Sequence, residues 1–249
     1  MNIAFLRRYA LFAGEELTSL TLLENQGYNN TNYLLESTKH HYLVRVFGKS
    51  LLERRREFHI AKKAFAKGIS QEPLLLDSAN NLMIIKFTKG EHRAKLTQRE
   101  LQGLARKLRT LHSIPCHQKP YDVAKEYTAS SKEPFASTLF LLFKKRKNFR
   151  QEPVLCHHDL NPRNILFHHH SITFIDWEYA RVNDRYFDLA SIVVEFGLER
   201  KETRFFVRAY FTCKEKIDFN KLALYEKIYE ALCERWLCEY AHAKAKKDK

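Results

Sequence analysis

Two groups of polar residues in the second half of the chain have the types and spacing that phosphoryl transfer needs. The first contains His157, Asp159 and Asn164, and the second is Asp176, which ends an apolar run twelve residues after Asn164. Phosphoryl transfer to a hydroxyl requires a carboxylate that faces the hydroxyl and hard oxygen ligands that hold Mg²⁺ against the phosphates. Asp159 can supply the carboxylate, and Asn164 and Asp176 can supply the ligands. We expect His157 to brace this loop through backbone hydrogen bonds.

The same residues also allow a simpler interpretation. Asn and Asp favour turns because their side chains hydrogen-bond the local backbone, so residues 159–162 could form an ordinary turn, with Asp176 merely ending a strand. Apolar strand-like runs flank the polar residues, and this context favours the catalytic interpretation. Three consecutive histidines at 168–170 could bind a metal, but they lie between two strand-like runs. We interpret them as a solvated hairpin turn.

The elements that must position these residues change character along the chain. The first third has strand-like runs separated by turn residues, at 17–23, 33–35, 42–47, 73–76 and 82–87. Among them, residues 51–67 have a helical pattern that Gly68 closes. This part of the chain is therefore predicted to be rich in β-structure, with a connector near residues 87–92.

After Gly90 the apolar period becomes helical. Thr97 followed by Glu100 is a capping-box signature. One apolar stripe follows the cap, formed by Leu101, Leu104, Leu108 and Leu111. Strand-like runs return briefly, at 154–156, 165–167 and 172–175. The remainder reads as helical from about Tyr186, so we predict an α+β protein with a β-rich N-terminal lobe and a mainly helical C-terminal lobe.

The composition is that of an ordinary globular protein. The 249 residues are 45% hydrophobic and include 7 Gly and 6 Pro. The sequence has no run of 18 apolar residues that would predict a membrane span. Its five cysteines form no Cys-x-x-Cys pair. The odd count argues against a disulfide framework, and the missing pair argues against a zinc ribbon. Because the first residues also lack the charge order of a secretory signal, we expect a cytoplasmic protein.

The net charge of +14 is the most pronounced bulk feature. Lys and Arg could neutralise nucleic-acid phosphates, an anionic lipid surface or a nucleotide triphosphate. The basic residues are spread along the chain, which argues against a dedicated nucleic-acid function. A basic nucleic-acid-binding module remains the alternative from another functional class.

Three segments resemble the kinase-like phosphotransferase superfamily, which includes choline kinases, aminoglycoside phosphotransferases and thiamine kinases. They are the catalytic-loop segment at 157–164, Phe-Ile-Asp-Trp-Glu-Tyr-Ala at 174–180, and Asn-Asp-Arg-Tyr-Phe-Asp-Leu-Ala at 183–190. The last two are most similar to the choline/ethanolamine kinase branch, and residues 26–34 resemble the nucleotide loop of that branch. The resemblance runs from about residue 20 to residue 198, with gaps between 115 and 150.

The resemblance implies a bilobal protein-kinase-like fold with ATP and Mg²⁺ as cofactors. Residues 1–88 would be the nucleotide-binding lobe, and residues 89–249 the catalytic and acceptor-binding lobe. Asp159 would be the catalytic base, and Asn164 and Asp176 the Mg²⁺ ligands. The implied nucleotide-binding residues are Gly27, Asn29, Asn30, Arg45 and Glu57.

Some of these assignments have alternatives. Arg45 stands where much of the superfamily has Lys, but choline kinases resemble this chain in carrying Arg, which can grip phosphate with two hydrogen bonds. Glu57 would pair with Arg45, or it could belong to a charged helix face beside Arg54. The nucleotide loop has the single glycine Gly27, where many kinases have several. Asp188 would hydrogen-bond the catalytic-loop backbone, or it could simply be a residue at a helix start.

The acceptor is expected to be a small alcohol, with choline favoured over ethanolamine and thiamine. Aromatic faces and a carboxylate suit a quaternary ammonium group. The candidate residues are Glu178, Tyr186, Trp236 and Tyr240. The aromatic stripe of the last helix could equally be the core-facing side of an amphipathic helix. Aminoglycosides fit poorly, because the chain from Glu199 onward has 9 acidic and 13 basic residues. The sequence leaves the oligomeric state open.

Overall fold

The computed structural model divides the chain into two compact units, residues 1–92 with 165–179, and residues 93–164 with 180–249. The residues that it describes are 1–24, 30–48, 53–116, 118–120, 134–213 and 215–247, with the backbone alone at 134–136 and 239–247.

The first unit is built on a five-stranded antiparallel sheet in the order β1-β2-β3-β5-β4. Its strands are β1 (Leu17–Leu22), β2 (Asn30–Ser37), β3 (His41–Phe47), β4 (Pro73–Asp77) and β5 (Leu82–Lys86). A short helix α1 (Ile3–Leu6) and a 3₁₀ turn (Ala10–Phe12) precede the sheet, and helix α2 (Arg54–Ala66) connects β3 to β4. The unit also contains the hairpin of β7 (Ile165–His168) and β8 (Ser171–Phe174).

The alternation of side chains along β3 explains how this sheet holds a charged residue. Successive strand residues face opposite sides. Val44 belongs to a core cluster with Leu35 and Leu82. Leu43 and Phe47 pack instead with Met83 and Ile85, and with Phe58 of α2. Residue 45 lies between these two positions, so its side chain is directed to the α2 side of the sheet.

The second unit is mainly helical. Its helices are α3 (Gln98–His112), α4 (Pro134–Arg146), α5 (Tyr186–Glu195), α6 (Arg200–Tyr210) and α7 (Phe219–Lys247). The closest helix pairs are α5 with α7, α3 with α6, and α4 with α7. A two-stranded antiparallel sheet joins β6 (Pro153–Cys156) to β9 (Arg181–Asp184), and a 3₁₀ turn spans Pro162–Asn164.

These elements confirm the predicted fold class, a strand-rich N-terminal part and a helical C-terminal part. The Thr97–Glu100 capping box is present, and the leucine stripe behind it is buried. His168 ends β7 and His169 and His170 form the β7–β8 turn, so the expected hairpin is present. Among the described residues, no helix is long and apolar enough to cross a membrane.

Helix α1 and strand β9 are among the described elements that were not predicted. The N-terminal helix α1 is only four residues long, too short for an apolar period to be visible. Strand β9 has the sequence Arg-Val-Asn-Asp, which is too polar to suggest a strand by itself. It pairs with β6 along its whole length, from Pro153↔Asp184 to Cys156↔Arg181. Long-range pairing, rather than local propensity, therefore determines this strand.

Candidate active site

The first unit brings together Arg45, Glu57 and Asp176. The guanidinium of Arg45 donates from Nη1 to Oε1 of Glu57 at 3.2 Å and to Oδ1 of Asp176 at 2.8 Å. Arg45 and Glu57 are 5% and 4% exposed, whereas the side chain of Asp176 is 25% exposed. The predicted strand-to-helix ion pair is present, and it extends to a third residue whose carboxylate reaches solvent.

A second arginine joins this group. Nη1 of Arg54, in the first turn of α2, donates to Oε2 of Glu57 at 3.1 Å and to Oε2 of Glu178 at 3.2 Å. Asn30, on β2, contacts both Arg54 and Glu178. Its Nδ2 donates to Glu178 at 3.3 Å, and its Oδ1 accepts from Arg54 at 3.4 Å. The guanidinium of Arg54 also lies over the ring of Phe47, 4.1 Å from its centroid.

Burial and charge act in opposite directions in this cluster. Burial acts to lower the pKa of Arg45, but the charges of Asp176 and Glu57 raise it above its ordinary value. Burial raises the pKa of Glu57, and the charge of Arg45 opposes that shift. Arg45 is therefore a permanent buried cation, of the kind that can bind a phosphate with paired hydrogen bonds.

The backbone around Asp176 is unusual. Its φ is 66°, in the left-handed region that residues other than glycine rarely adopt. Asp176 follows the β7–β8 hairpin, and in that hairpin Ile165 pairs with Phe174. The chain therefore enters β7 and leaves β8 at neighbouring strand positions, two residues before Asp176. Strained non-glycine backbone at the end of a strand is common in functional sites.

The second unit holds the predicted base within a hydrogen-bonded loop. Oδ2 of Asp159 accepts from Nδ2 of Asn164 at 2.7 Å, and Oδ1 accepts from Nδ2 of Asn161 at 2.9 Å. The same Nδ2 of Asn164 donates to the backbone oxygen of Asp159 at 2.9 Å. These bonds fix the orientation of the Asp159 carboxylate, and they leave the amide oxygen of Asn164 as the end that could bind a metal.

Asp188, a fully buried residue in the first turn of α5, holds this loop through hydrogen bonds. Its Oδ2 accepts from the backbone N–H of His157 at 2.8 Å, and its Oδ1 accepts from that of His158 at 3.0 Å. The expected hydrogen bonds between Asp188 and the catalytic-loop backbone are thus present. The loop contact of His157 runs through its backbone, as expected.

His112, the last residue of α3, completes this support. Its Nε2 lies 3.1 Å from Oδ2 of Asp188, and its Nδ1 lies 2.7 Å from the hydroxyl of Tyr210. Because a carboxylate only accepts, we assign the ring proton to Nε2, and Nδ1 then accepts from Tyr210. Burial acts to raise the pKa of Asp188, but the hydrogen bond from His112 and the electrostatic effects of His112, His158 and His157 together outweigh it, so the pKa is lowered.

His158 is not a candidate for charge-based catalysis. Burial lowers its pKa to about 3, so the ring is neutral at ordinary pH. The ring stacks on Phe187 with centroids 4.3 Å apart, and its backbone has a φ of 71°. His158 therefore packs the loop against α5 by its side chain and backbone rather than by a charge.

The predicted acceptor residues separate into two kinds. Tyr186 is 1% exposed, its ring packs near Phe211, and its hydroxyl accepts the backbone N–H of Asp218 at 2.9 Å. Glu178 is 9% exposed and paired with Arg54. Tyr186 is a core residue, and Arg54 already pairs with Glu178. Neither residue therefore belongs to the proposed acceptor site.

The aromatic stripe of α7 is core over its first half. Tyr225 and Tyr229 are 1% and 5% exposed, whereas Trp236 is 37% exposed. The side chain of Tyr240 lies outside the described residues, as do Gly27 and Asn29 of the nucleotide loop. Trp236 is thus the described member of the stripe that is open to solvent.

Each of the two residues predicted to bind Mg²⁺ carries a donor of a type that suits this ion. Asp176 supplies a partly exposed carboxylate and Asn164 an amide oxygen, and Mg²⁺ prefers such hard oxygen donors. The loop hydrogen bonds of Asn164 use its nitrogen, so its oxygen keeps its lone pairs. This match rests on donor chemistry alone.

Several supporting residues were not predicted. Arg54 could have been suspected because it stands three residues before Glu57, on the same helix face. No comparable sequence signal marks Asn32, whose Oδ1 accepts a hydrogen bond from Nε of Arg45 at 3.3 Å. Nothing in the sequence connects His112 to Asp188, which is 76 residues away.

The strand-rich first unit, with its strand arginine paired to a helix glutamate, and the Asp–Asn loop of the second unit define a kinase-like phosphotransferase class. The sequence matches the phosphotransferase enzyme family (APH) over residues 21–225, and the chain belongs to that family.

Known relatives agree with this class. Protein LicA of Haemophilus influenzae is 25% identical over 218 residues, which are 78% of this chain and 63% of that protein. Choline kinase LicA from Streptococcus pneumoniae has a similar solved structure, with a TM-score of 0.79, 21% identity, and coverage of 92% of this chain and 87% of that chain. A choline/ethanolamine kinase family protein from Mesorhizobium loti has a TM-score of 0.73, 20% identity, and coverage of 96% and 85%. The expected superfamily is confirmed, and its fold is shared.

Proposed function

We propose that this protein is an ATP-dependent kinase that transfers the γ-phosphate of ATP to the hydroxyl of a small alcohol, with choline as the preferred acceptor. Ethanolamine and thiamine are the alternative acceptors of the same chemistry. Membership of the phosphotransferase family supports the reaction class. The choline preference is supported by the likeness to a choline kinase and to a choline/ethanolamine kinase family protein. The cytoplasmic location expected from the sequence remains part of this proposal.

The observation that carries the proposal is the placement of one buried guanidinium between two carboxylates. Arg45 reaches Glu57 at 3.2 Å and Asp176 at 2.8 Å. A glutamate of the following helix holds the strand arginine, and the neighbouring carboxylate is still partly exposed. This arrangement suits the binding of a triphosphate and its cation. In this proposal Arg45 contacts the phosphates, Glu57 orients Arg45, and the nucleotide loop contributes Gly27, Asn29 and Asn30.

The chemical step follows from the roles of the loop residues. The acceptor hydroxyl oxygen forms a bond to the γ-phosphorus, the bond from that phosphorus to the bridging oxygen of ADP breaks, and Asp159 takes the hydroxyl proton. Asn164 and Asp176 would hold Mg²⁺, which neutralises phosphate charge when bound. Asp188 keeps the loop backbone in place while Asp159 acts.

The test is ATP turnover against a panel of choline, ethanolamine, thiamine and an aminoglycoside, with the D159N variant as the control. We expect phosphorylated choline with the highest kcat/KM in the panel, and turnover by D159N that is lower by about 100-fold or more. If another alcohol is phosphorylated instead, the proposed reaction stands and the proposed acceptor is wrong. Tight nucleic-acid binding at physiological salt, without turnover of any alcohol, would contradict the proposal and favour the basic binding module.

A further inference from the structure

The charged cluster of the first unit consists of two arms with the same composition. In one arm, Arg45 contacts Asn32 at 3.3 Å and Asp176 at 2.8 Å. In the other, Arg54 contacts Asn30 at 3.4 Å and Glu178 at 3.2 Å. The two asparagines are two residues apart on β2, and the two acids are two residues apart after β8.

Glu57 connects the arms, because its two oxygens are divided between the two arginines. Oε1 accepts from Arg45 at 3.2 Å, and Oε2 accepts from Arg54 at 3.1 Å. A carboxylate held at both oxygens cannot rotate about its terminal bond without losing one charge-assisted hydrogen bond. The position of Glu57 opposite Arg45 therefore depends on Arg54.

The arms differ in exposure. The acid of the first arm, Asp176, is 25% exposed at its side chain. In the second arm the side chains of Arg54 and Glu178 are 11% and 9% exposed. A ligand can therefore reach the acid of the first arm more easily than that of the second, whereas both arginines are enclosed, with side-chain exposures of 6% for Arg45 and 11% for Arg54.

We propose that Arg54 is a positioning residue for Arg45: it anchors Glu57, and Glu57 then holds the Arg45 guanidinium in the orientation that binds the nucleotide phosphates. This inference rests on the proposed function for its ligand, but the anchoring contacts are those of the cluster itself. Removal of Arg54 has two separable consequences. Glu57 loses the anchor at Oε2, and Glu178 becomes a buried carboxylate without its cation, which is strongly destabilising.

The experiment uses variants that separate these consequences. The R54M variant keeps an aliphatic side chain but can donate no hydrogen bond. The R54M/E178Q variant also replaces the Glu178 carboxylate, which R54M leaves without its cation. The cluster has two cations and three acids, so the double variant has the same net charge as the original. Exposed Arg55 supplies the matched control, R55M. The measurements are the Kd of Mg²⁺-ATP by titration calorimetry and the midpoint of urea unfolding.

We expect R54M to weaken ATP binding at least about tenfold, equivalent to about 1.4 kcal/mol, and to unfold at lower urea. The double variant should regain the unfolding midpoint of E178Q while keeping the tenfold loss in affinity relative to E178Q. In an R45Q background, R54M should add less than about twofold, because its effect passes through Arg45. R55M should resemble the original protein in both measurements.

Four outcomes would overturn the assignment. If affinity returns together with stability in R54M/E178Q, Arg54 only compensates Glu178. If R54M costs its full tenfold in the R45Q background, Arg54 acts on nucleotide without Arg45. Should the original protein fail to bind ATP, the proposed function falls and this assignment falls with it. Failure of the inference alone has another signature: ATP binds, R45Q weakens it, and R54M does not.

Discussion

Replacement of Asp188 by Asn tests whether the buried carboxylate under the catalytic loop controls turnover. The carboxylate accepts three hydrogen bonds, from the backbone N–H groups of His157 and His158 and from the ring of His112, at 2.8, 3.0 and 3.1 Å. An amide has one accepting oxygen, so its nitrogen must face at least one of these donors. Asp188 is 0% exposed, and water cannot replace the lost acceptor.

The magnitude follows from the contacts. A hydrogen bond to a charged group contributes about 1.5–3 kcal/mol, and a buried donor without an acceptor costs about 1–3 kcal/mol. We expect D188N to lose about 3 kcal/mol of unfolding free energy. Asp159 directly follows the supported residue His158, so a shift of the loop backbone misplaces the base. A misplacement of about 1 Å costs roughly 100-fold in rate, and kcat should fall by about that factor.

The assay compares kcat, the Kd of ATP and urea unfolding in D188N and in the control D218N. Asp218 accepts the backbone N–H groups of Asn220 and Lys221 at the start of α7, both at 3.0 Å. The amide oxygen of Asn can accept both hydrogen bonds, and Asn and Asp cap helices about equally well, so D218N should leave stability and kcat nearly unchanged. The ATP affinity of D188N should stay within about threefold of the original. A folded D188N enzyme with normal kcat would refute the reasoning.

Acid sensitivity gives an independent check of the same carboxylate. Its pKa is lowered in the folded protein. The unfolded state therefore binds its proton first as pH falls. The contribution of Asp188 to stability is fully present above the unfolded pKa, about 3.9, and is lost as pH falls through the lower folded pKa. The difference in unfolding free energy between the original protein and D188N should therefore shrink below about pH 4.

Four further substitutions test the remaining assignments. D176A should lower turnover at least about 100-fold at saturating Mg²⁺, and near-normal activity of a folded variant would remove Asp176 from the metal site. D159N should lower kcat by about 100-fold or more with little change in ATP affinity, whereas equal losses would indicate a structural role. Y186F should cost about 1 kcal/mol of stability through the lost Asp218 contact without changing the KM for choline; a raised KM would return Tyr186 to the acceptor site. W236L should raise the KM for choline about 30-fold and leave that for ATP unchanged, and if both constants are unchanged Trp236 is not an acceptor residue.

Local sequence was sufficient where one element carries the signal. The capping box at Thr97 and the hairpin at the histidines depend on residues within a few positions of one another, and both were predicted. The pair of Arg45 with Glu57 was expected from the resemblance to the kinase-like superfamily, and the spacing of twelve residues between a strand and the following helix permits it. What the sequence does not reveal are contacts across long separations, such as His112 with Asp188.

The second arm of the charged cluster illustrates why such residues escape notice. Arg54 stands in a run of three arginines, which reads as a charged helix face. The side chain of Arg54 is 11% exposed and contacts Glu178, 124 residues later, and these features distinguish it from exposed Arg55. Charge type and helical spacing were visible in the sequence, but the side chain that supplies the partner was not.

The same contact changes the expected recognition of the acceptor. A quaternary ammonium group placed beside Glu178 would have to displace Arg54 from a carboxylate that is 9% exposed. Displacement would leave Arg54 buried and facing Glu57 alone, at a cost that one cation–π contact of about 2 kcal/mol cannot offset, since breaking a buried ion pair costs about 3–5 kcal/mol. In the proposed function, selectivity for choline would therefore come from aromatic faces such as Trp236 and from carboxylates other than Glu178. An E178Q enzyme should accordingly keep its preference for choline over ethanolamine even where its stability falls.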